Sequence, residues 1–125
     1  MRTSNVPPVD LIFYKEEGRV PMLEWLEKLP PKALDKCVAY LGQLELMGHE
    51  LRRPLADFLG DSIYELRPSY QGVHYRILYF FSGKNVVVVS HGLKKEGGIP
   101  AVEIRRAIER KRKFESDPKA HTFKR

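Results

Sequence analysis

Residues 63–93 read IYELRPSYQGVHYRILYFFSGKNVVVVSHGL, and three β-strands are predicted within them. The predicted strands cover residues 63–67, 73–81 and 85–93. They are rich in aromatic and β-branched side chains, and short segments containing glycine separate them. Connections this short favour an antiparallel arrangement of neighbouring strands.

The elements around this stretch complete an α+β fold. A strand is predicted over residues 10–15, and helices over residues 21–29 and 32–47, where apolar residues recur at helical spacing. Residues 49–62 are interpreted as a connector, and a last helix is predicted over residues 101–115. The order β-α-α-β-β-β-α predicts a four-stranded, mainly antiparallel sheet. Its helices are expected to pack on one face and to leave the other partly open.

The length of 125 residues fits one domain, predicted over residues 9–115. Residues 1–8 are expected to form a flexible arm and residues 116–125 a flexible basic tail. Cys37 is the single cysteine, which excludes an internal disulfide and favours a reducing, cytoplasmic location. No apolar run approaches the roughly 20 residues that cross a bilayer, so no membrane partner is expected.

The positive charge is concentrated at the end of the chain. Residues 1–93 contain eleven Lys or Arg and eleven Asp or Glu, whereas residues 94–125 contain eleven and five. A basic segment beside a neutral domain is typical of proteins that bind polyanions. Arg105, Arg110 and Arg112 of the last predicted helix are therefore candidate RNA-binding residues. The alternative is that this helix is only a solvated surface.

Two arginines within the predicted strands are candidates for phosphate binding. Arg67 and Arg76 lie in successive strands, and a guanidinium group forms bidentate hydrogen bonds with phosphate. An arginine in a strand is costly unless it is paired or exposed. The structural alternative is an ion pair of Arg67 or Arg76 with Glu65 across the sheet.

Other polar residues lie near the ends of the same strands. His91 is a candidate general acid or base, although a hydrogen-bonded structural histidine is the alternative; His74 is a weaker candidate. Strand alternation places His91 on one face with Val87 and Val89. Lys94 and Lys95 follow that strand, and Tyr70 is a candidate for stacking on a base. The histidines have no metal-ligand spacing, and neither a metal nor another cofactor is predicted.

Two segments together carry a resemblance to a known family. They are YELRPSYQGVHYRILYFF (residues 64–81) and VVVVSHGLKKEGGIPAVEIRRAIERKRKF (residues 86–114). Their order and spacing resemble the phage-derived, HigB-like branch of the RelE/ParE toxin superfamily. LIFYKEEGRVPMLEWLEKLP, at residues 11–30, fits the first strand and helix of that branch.

The resemblance implies the toxin of a type II toxin–antitoxin system. HigB-like and RelE-like toxins are metal-independent mRNA endonucleases, often acting on the ribosome, in which the ribose 2′-hydroxyl attacks the adjacent phosphate. An antitoxin, often with a helix-turn-helix domain, neutralises the toxin. Carried over by position, Arg67 and Arg76 match arginines that contact the phosphate. His91, Lys94 and Lys95 match catalytic or RNA-contacting positions.

The sequence departs from the family at one point, and two other functions remain open. Some family members have a catalytic tyrosine near the end of the chain, but this sequence has none after Tyr79. The first alternative is a toxin without nuclease activity, such as a ParE-like gyrase inhibitor. The second is an inactive member that keeps only the antitoxin interface.

Overall fold

The computed structural model describes residues 7–124, which form one mixed sheet and three α-helices. In chain order the elements are β1 (Asp10–Tyr14), α1 (Pro21–Glu27), α2 (Pro31–Met47), β2 (Ala56–Gly60), β3 (Ile63–Leu66), β4 (Ser69–Tyr70), β5 (Val73–Ser82), β6 (Val86–Lys94), α3 (Ala101–Ser116) and β7 (Thr122–Phe123). Short 3-10 turns follow α2 and α3. The helices and long strands agree with the predicted elements to within two residues at most ends. No helix among these residues is long and apolar enough to cross a membrane.

The sheet has the strand order β2-β3-β5-β6-β1-β7, and β4 pairs with the start of β5. β1 runs parallel to β6, and the other pairs are antiparallel. The prediction of four strands is therefore wrong, because the described residues form seven. The three additional strands are short, and they lie in the predicted connector, turn and tail. They form by pairing with long strands, which local sequence patterns do not reveal.

The first face of the sheet is covered by α1 and α2. Met22 and Leu26 of α1 pack with Leu41 and Leu44 of α2 against the strands. The apolar residues that the strands contribute to this face are Phe13, Leu66, Tyr75, Ile77, Tyr79, Val87 and Val89. Trp25 of α1 approaches β6 so closely that a Cβ atom at Gly92 would lie 2.4 Å from its ring. Glycine is therefore required at that point of β6.

The second face is covered by α3. Ala107 and Phe114 of α3 are buried against a second apolar cluster on the sheet. The residues that the strands contribute are Ile12, Tyr14, Ile63, Leu78, Phe80 and Val88. The prediction that the helices share one face and leave the other partly open is therefore wrong. The apolar stripe of α3 was visible in the sequence, but the face on which it docks was not.

Residues of the predicted flexible tail pair with the sheet. Phe13 and Tyr14 of β1 lie opposite Phe123 and Thr122 of β7. The rings of Phe13 and Phe123 stack with centroids 6.4 Å apart. Within the segment predicted as a tail, residues 119–123 form the second 3-10 turn and β7. Residues 1–6 of the predicted arm lie outside the described residues.

Candidate functional site

The strand register brings charged side chains together near one end of the sheet, on the face that carries α3. Glu65 of β3 lies opposite Leu78 of β5, and Leu78 lies opposite His91 of β6. One step towards the sheet end, Arg76 lies opposite Leu93. Leu78 belongs to the apolar cluster that α3 covers, and residues two apart on a strand share a face. Glu65, Arg76 and His91 therefore lie on the α3 face.

Further towards this end of the sheet, the next positions on the strands are occupied by Arg67, His74 and Lys95. The register of β3 and β4 with β5 places Arg67 beside Arg76. The amide of Lys95 donates a hydrogen bond of 3.0 Å to the carbonyl oxygen of His74. His74, Lys94 and Lys95 are exposed, whereas Arg67 is half-buried. We call the surface formed by Arg67, His74, Lys94 and Lys95 the basic end of the sheet.

The basic end contains a shallow depression. This cavity of about 430 Å³ is lined by Gly72, Val73, His74, Lys94, Lys95 and Glu96. Its lining carries two lysines and one glutamate, so the cavity has an excess of positive charge. Such a surface attracts anions, including the phosphates of a nucleic acid.

Glu65 binds both of the arginines that the sequence singled out. Its Oε2 accepts a hydrogen bond of 2.7 Å from Nη1 of Arg67, and its Oε1 lies 3.3 Å from Nε of Arg76. The side chain of Arg67 is 23% exposed, but that of Arg76 is only 5% exposed. The ion pairs offered as the structural alternative are therefore both present. Arg67 alone of these two arginines is accessible to a ligand.

One carboxylate between two guanidinium groups leaves a net positive charge. Burial, and then the charge of Arg67, lower the pKa of Arg76 from its ordinary value. On the neighbouring strand Asp57 lies opposite Glu65 and forms an ion pair of 2.9 Å with Arg53. Three arginines and two carboxylates thus form one cluster at this side of the sheet.

His91 is held between the sheet and α3. It is 7% exposed. Its Nδ1 lies 2.8 Å from Oγ of Ser90, and its Nε2 lies 3.0 Å from Oε1 of Glu103 in the first turn of α3. Burial, and then the charge of Arg110, lower its pKa to about 4 despite the opposing effect of Glu103. His91 is therefore neutral at pH 7, and both ring nitrogens have partners.

A bulge in β6 explains why sequence alternation placed His91 incorrectly. Leu78 pairs with His91, but Tyr79 pairs with Val89, so Ser90 is an extra residue in β6. The bulge reverses the alternation and puts His91 on the face opposite Val87 and Val89.

His74, the weaker candidate from sequence reasoning, is the histidine that the structure places at the basic end. Its position directly before Arg76 in alternation was visible in the sequence. The pairing of His74 with Lys95 was not predictable, because the bulge at Ser90 shifts the register of β6 against β5.

Tyr70 pairs with Val73 next to the basic end, but its side chain lies on the opposite face of the sheet. It is half-buried and packs against the cluster formed by α1 and α2. The structure therefore does not bring its ring to the face that carries Arg67 and Arg76.

The three predicted arginines of α3 have different surroundings. Arg105 is exposed, and among residues 7–124 no carboxylate forms an ion pair with it. Arg110 is half-buried, with its guanidinium 5.4 Å from the centre of the Tyr14 ring and 3.4 Å from Oγ of Ser90. Arg112 is exposed and paired with Glu109.

Other ion pairs neutralise part of the charge of α3. Glu103 pairs with Arg106 at 2.6 Å, and Lys113 pairs with Glu16, which follows β1, at 2.9 Å. Tyr14 donates a hydrogen bond of 2.7 Å to the same Glu16. The expected excess of free positive charge on this helix is therefore smaller than the sequence suggested.

Within residues 7–124, no three His, Cys, Asp or Glu side chains lie close enough together to hold a metal ion. The single cysteine, Cys37, is buried in α2, and burial raises the pKa of its thiol to about 11. A thiol in this state is a poor nucleophile.

One known protein family matches most of the chain. The family described as phage derived protein Gp49-like (DUF891) matches residues 24–112, which is more than half of the sequence. The chain belongs to this family. The Gp49-like family lies in the RelE-like toxin–antitoxin group, in agreement with the superfamily resemblance. No individual curated protein matches the chain.

Proposed function

We propose that this Gp49-like protein is a HigB-like toxin that cleaves mRNA without a metal ion. The observation that carries the proposal is the basic end, where the strand register puts the half-buried Arg67 and the exposed His74 and Lys95 at neighbouring positions on one face of the sheet. Membership of a family in the toxin–antitoxin group supports the same conclusion.

The proposed reaction is an in-line attack of the ribose 2′-hydroxyl on the adjacent phosphate. A bond forms between the 2′-oxygen and phosphorus, and the bond from phosphorus to the 5′-oxygen breaks. The products are a 2′,3′-cyclic phosphate and a free 5′-hydroxyl. One group takes the proton of the 2′-hydroxyl, and one group protonates the 5′-oxygen that leaves.

Each group of the basic end has a role in this reaction. The guanidinium of Arg67 stabilises the charge that develops on the phosphorane. The imidazole of His74 takes the proton of the 2′-hydroxyl, the ammonium group of Lys95 protonates the 5′-oxygen that leaves, and Lys94 holds a neighbouring phosphate. Arg76 and Glu65 are buried, so they act as positioning residues that fix the guanidinium of Arg67.

His91 has a positioning role in this account. Its bond to Glu103 ties the start of α3 to β6. The loop between β6 and α3 contains Lys95, so this contact also restricts the loop that borders the basic end. Its low pKa and its two partners make it a poor proton carrier at neutral pH.

The proposed partners are mRNA, the ribosome and a cognate antitoxin with a helix-turn-helix domain. Arg105 of α3 and the basic end supply sequence-independent attraction to RNA. An antitoxin with acidic segments fits the same positive surfaces.

A second candidate is a toxin that acts by binding alone, as ParE-like gyrase inhibitors do. One observation favours it: Arg67 and Arg76 share a carboxylate and His91 is buried, so these candidate catalytic groups are already engaged within the protein. Induced expression separates the two, with mRNA integrity and plasmid supercoiling measured in the same cells. We expect cleaved mRNA and normal supercoiling, and the reverse result would support gyrase inhibition.

A further inference from the structure

The β2 edge of the sheet has an exposed aromatic side chain beside two arginines. Phe58 of β2 is 56% exposed, and its ring centre lies 5.0 Å from that of Tyr64. A cavity of about 370 Å³ opens beside these rings, and His49, Arg52 and Arg53 also line it. Its volume lies within the range of about 300–1,000 Å³ that is typical of small-ligand pockets.

The rings behind Phe58 are fixed by packing. Tyr64 stacks on the buried Tyr79 with ring centres 5.4 Å apart. His49 stacks on Phe81 with ring centres 3.7 Å apart. A ring supported in this way presents a flat apolar surface and loses little conformational entropy when a ligand binds.

Positive charge lies next to this aromatic surface. Arg52 donates a hydrogen bond to the carbonyl oxygen of His49, and no carboxylate pairs with it in the part of the chain that the structure describes. Arg53 is paired with Asp57. The cavity therefore combines a flat ring with one guanidinium whose charge is not neutralised.

The aromatic wall of the cavity lies on the α1 and α2 face of the sheet, and a row of charged residues on the α3 face runs from the basic end to the same β2 edge. Asp57, the partner of Arg53, lies opposite Glu65 in the register of β2 with β3. Glu65 in turn binds Arg67 of the basic end. The charged groups thus continue from the basic end to the β2 edge, where the cavity opens.

We propose that this cavity is a subsite for one unpaired nucleotide of single-stranded RNA, with the base stacked on Phe58 and the adjacent phosphate bound by Arg52. Every base has a flat face, and aromatic side chains beside cations bind single strands in this way. The inference rests on the proposed function, because the subsite would hold a flanking nucleotide of the same substrate. It gives RNA-binding roles to Phe58 and Arg52, which are not part of the basic end.

Binding of an uncleavable RNA tests the subsite separately from cleavage. The probe is a labelled single-stranded 2′-O-methyl oligonucleotide, and fluorescence anisotropy with the full chain measures its Kd. A stacked base contributes about 1–3 kcal/mol, so Phe58→Ala should weaken binding about 5- to 150-fold. Phe58→Tyr keeps the ring and should bind as the wild type does. Leu46→Ala, which alters another exposed apolar residue, is the matched control.

A second variant tests the phosphate contact. Arg52→Gln should lower the dependence of log K on log salt by about one unit, because one phosphate contact is lost. Unchanged binding by both Phe58→Ala and Arg52→Gln would overturn the subsite, and so would a wild-type chain that binds no single strand. Loss of antitoxin binding alone would assign the cavity to a protein partner and also overturn the proposal. If Phe58→Ala and Arg52→Gln both bind normally while Arg67→Ala fails to cleave, the subsite is wrong and the proposed function stands.

Discussion

Oε1 of Glu65 lies 3.3 Å from Nε of Arg76, and both side chains are about 95% buried. Neither atom has a hydrogen-bond partner among the residues that the structure describes, so the contact is electrostatic. A buried guanidinium that loses its carboxylate keeps its charge and has no compensation. The Glu65–Arg76 pair is therefore expected to be essential to the fold as well as to the site.

The first prediction is that Glu65→Gln destabilises the protein by about 3–5 kcal/mol, because it leaves buried guanidinium charge uncompensated. Urea denaturation measures the change. Asp57→Asn is the control, since the Arg53–Asp57 pair is exposed and should contribute only about 0–1 kcal/mol. Adding Arg76→Met to Glu65→Gln should recover part of the loss. Equal stability of Glu65→Gln and Asp57→Asn would contradict the prediction.

The second prediction concerns pH. The pKa of His91 is lowered to about 4 in the folded protein, against an ordinary value of about 6.5 in the unfolded chain. Between these values the unfolded chain binds more protons, so stability should fall as the pH decreases from 6.5 to 4. The loss should be on the order of 1–3 kcal/mol.

Urea denaturation at several pH values measures this dependence. His91→Gln should be less stable at pH 7 and should lose less stability between pH 6.5 and 4. His74→Gln, which alters an exposed histidine, is the control for removing one imidazole from the chain. A His91→Gln profile that parallels the wild type would show that another group is responsible.

The third prediction concerns β7. The ring of Phe123 stacks on that of Phe13. The side chain of His121 donates a hydrogen bond of 2.8 Å from Nδ1 to the backbone carbonyl oxygen of Lys15, so residues 121–123 are part of the fold. Phe123→Ala should destabilise the protein by about 1–2 kcal/mol because half-buried aromatic area is lost. Phe58→Ala, at an exposed position, should cost less than about 0.5 kcal/mol in the same urea titration. Equal effects would mean that β7 contributes little.

The long helices and strands could be predicted from the sequence, but their arrangement in the fold could not. The apolar runs of β5 and β6 and the stripes of α2 and α3 are local patterns, so they were predictable. The strand β2, with the sequence ADFLG, carries no strong strand pattern and forms by pairing with β3. The sheet therefore gained strands that no local signal showed.

The candidate site shows the same limit. Arg67 and Arg76 could be identified because a charged residue within a strand is unusual. That one carboxylate, Glu65, binds both depends on side-chain packing, which a sequence pattern does not contain. The position of His91 depends on a bulge at Ser90, and a bulge of one residue reverses every face assignment beyond it.

The fourth prediction concerns α3. Arg105→Glu should weaken RNA or ribosome binding and reduce its salt dependence, because Arg105 is exposed and has no ion pair among the described residues. Arg112→Glu should have a smaller effect on binding, because Glu109 already neutralises Arg112. Arg110→Glu is unsuitable as a test, because Arg110 packs on Tyr14 and the change would destabilise α3. Filter binding at several salt concentrations, with antitoxin binding measured in parallel, checks this. Unchanged salt dependence would show that α3 is only a solvated surface.

The most direct test of the central claim is cleavage of RNA by the purified protein in EDTA, with ribosomes present and absent. We expect fragments that end in a 2′,3′-cyclic phosphate, and no cleavage of a substrate with a 2′-deoxyribose at the cleaved position. Arg67→Ala and His74→Gln should each lower the rate at least about 100-fold. The urea denaturation curve of His74→Gln should stay close to that of the wild type, whereas Arg67→Ala should also lose some stability because the buried Glu65 loses a hydrogen bond, so its rate is compared at a temperature at which urea denaturation shows it folded. Cleavage of the 2′-deoxy substrate, or an Arg67→Ala variant as active as the wild type, would contradict the account.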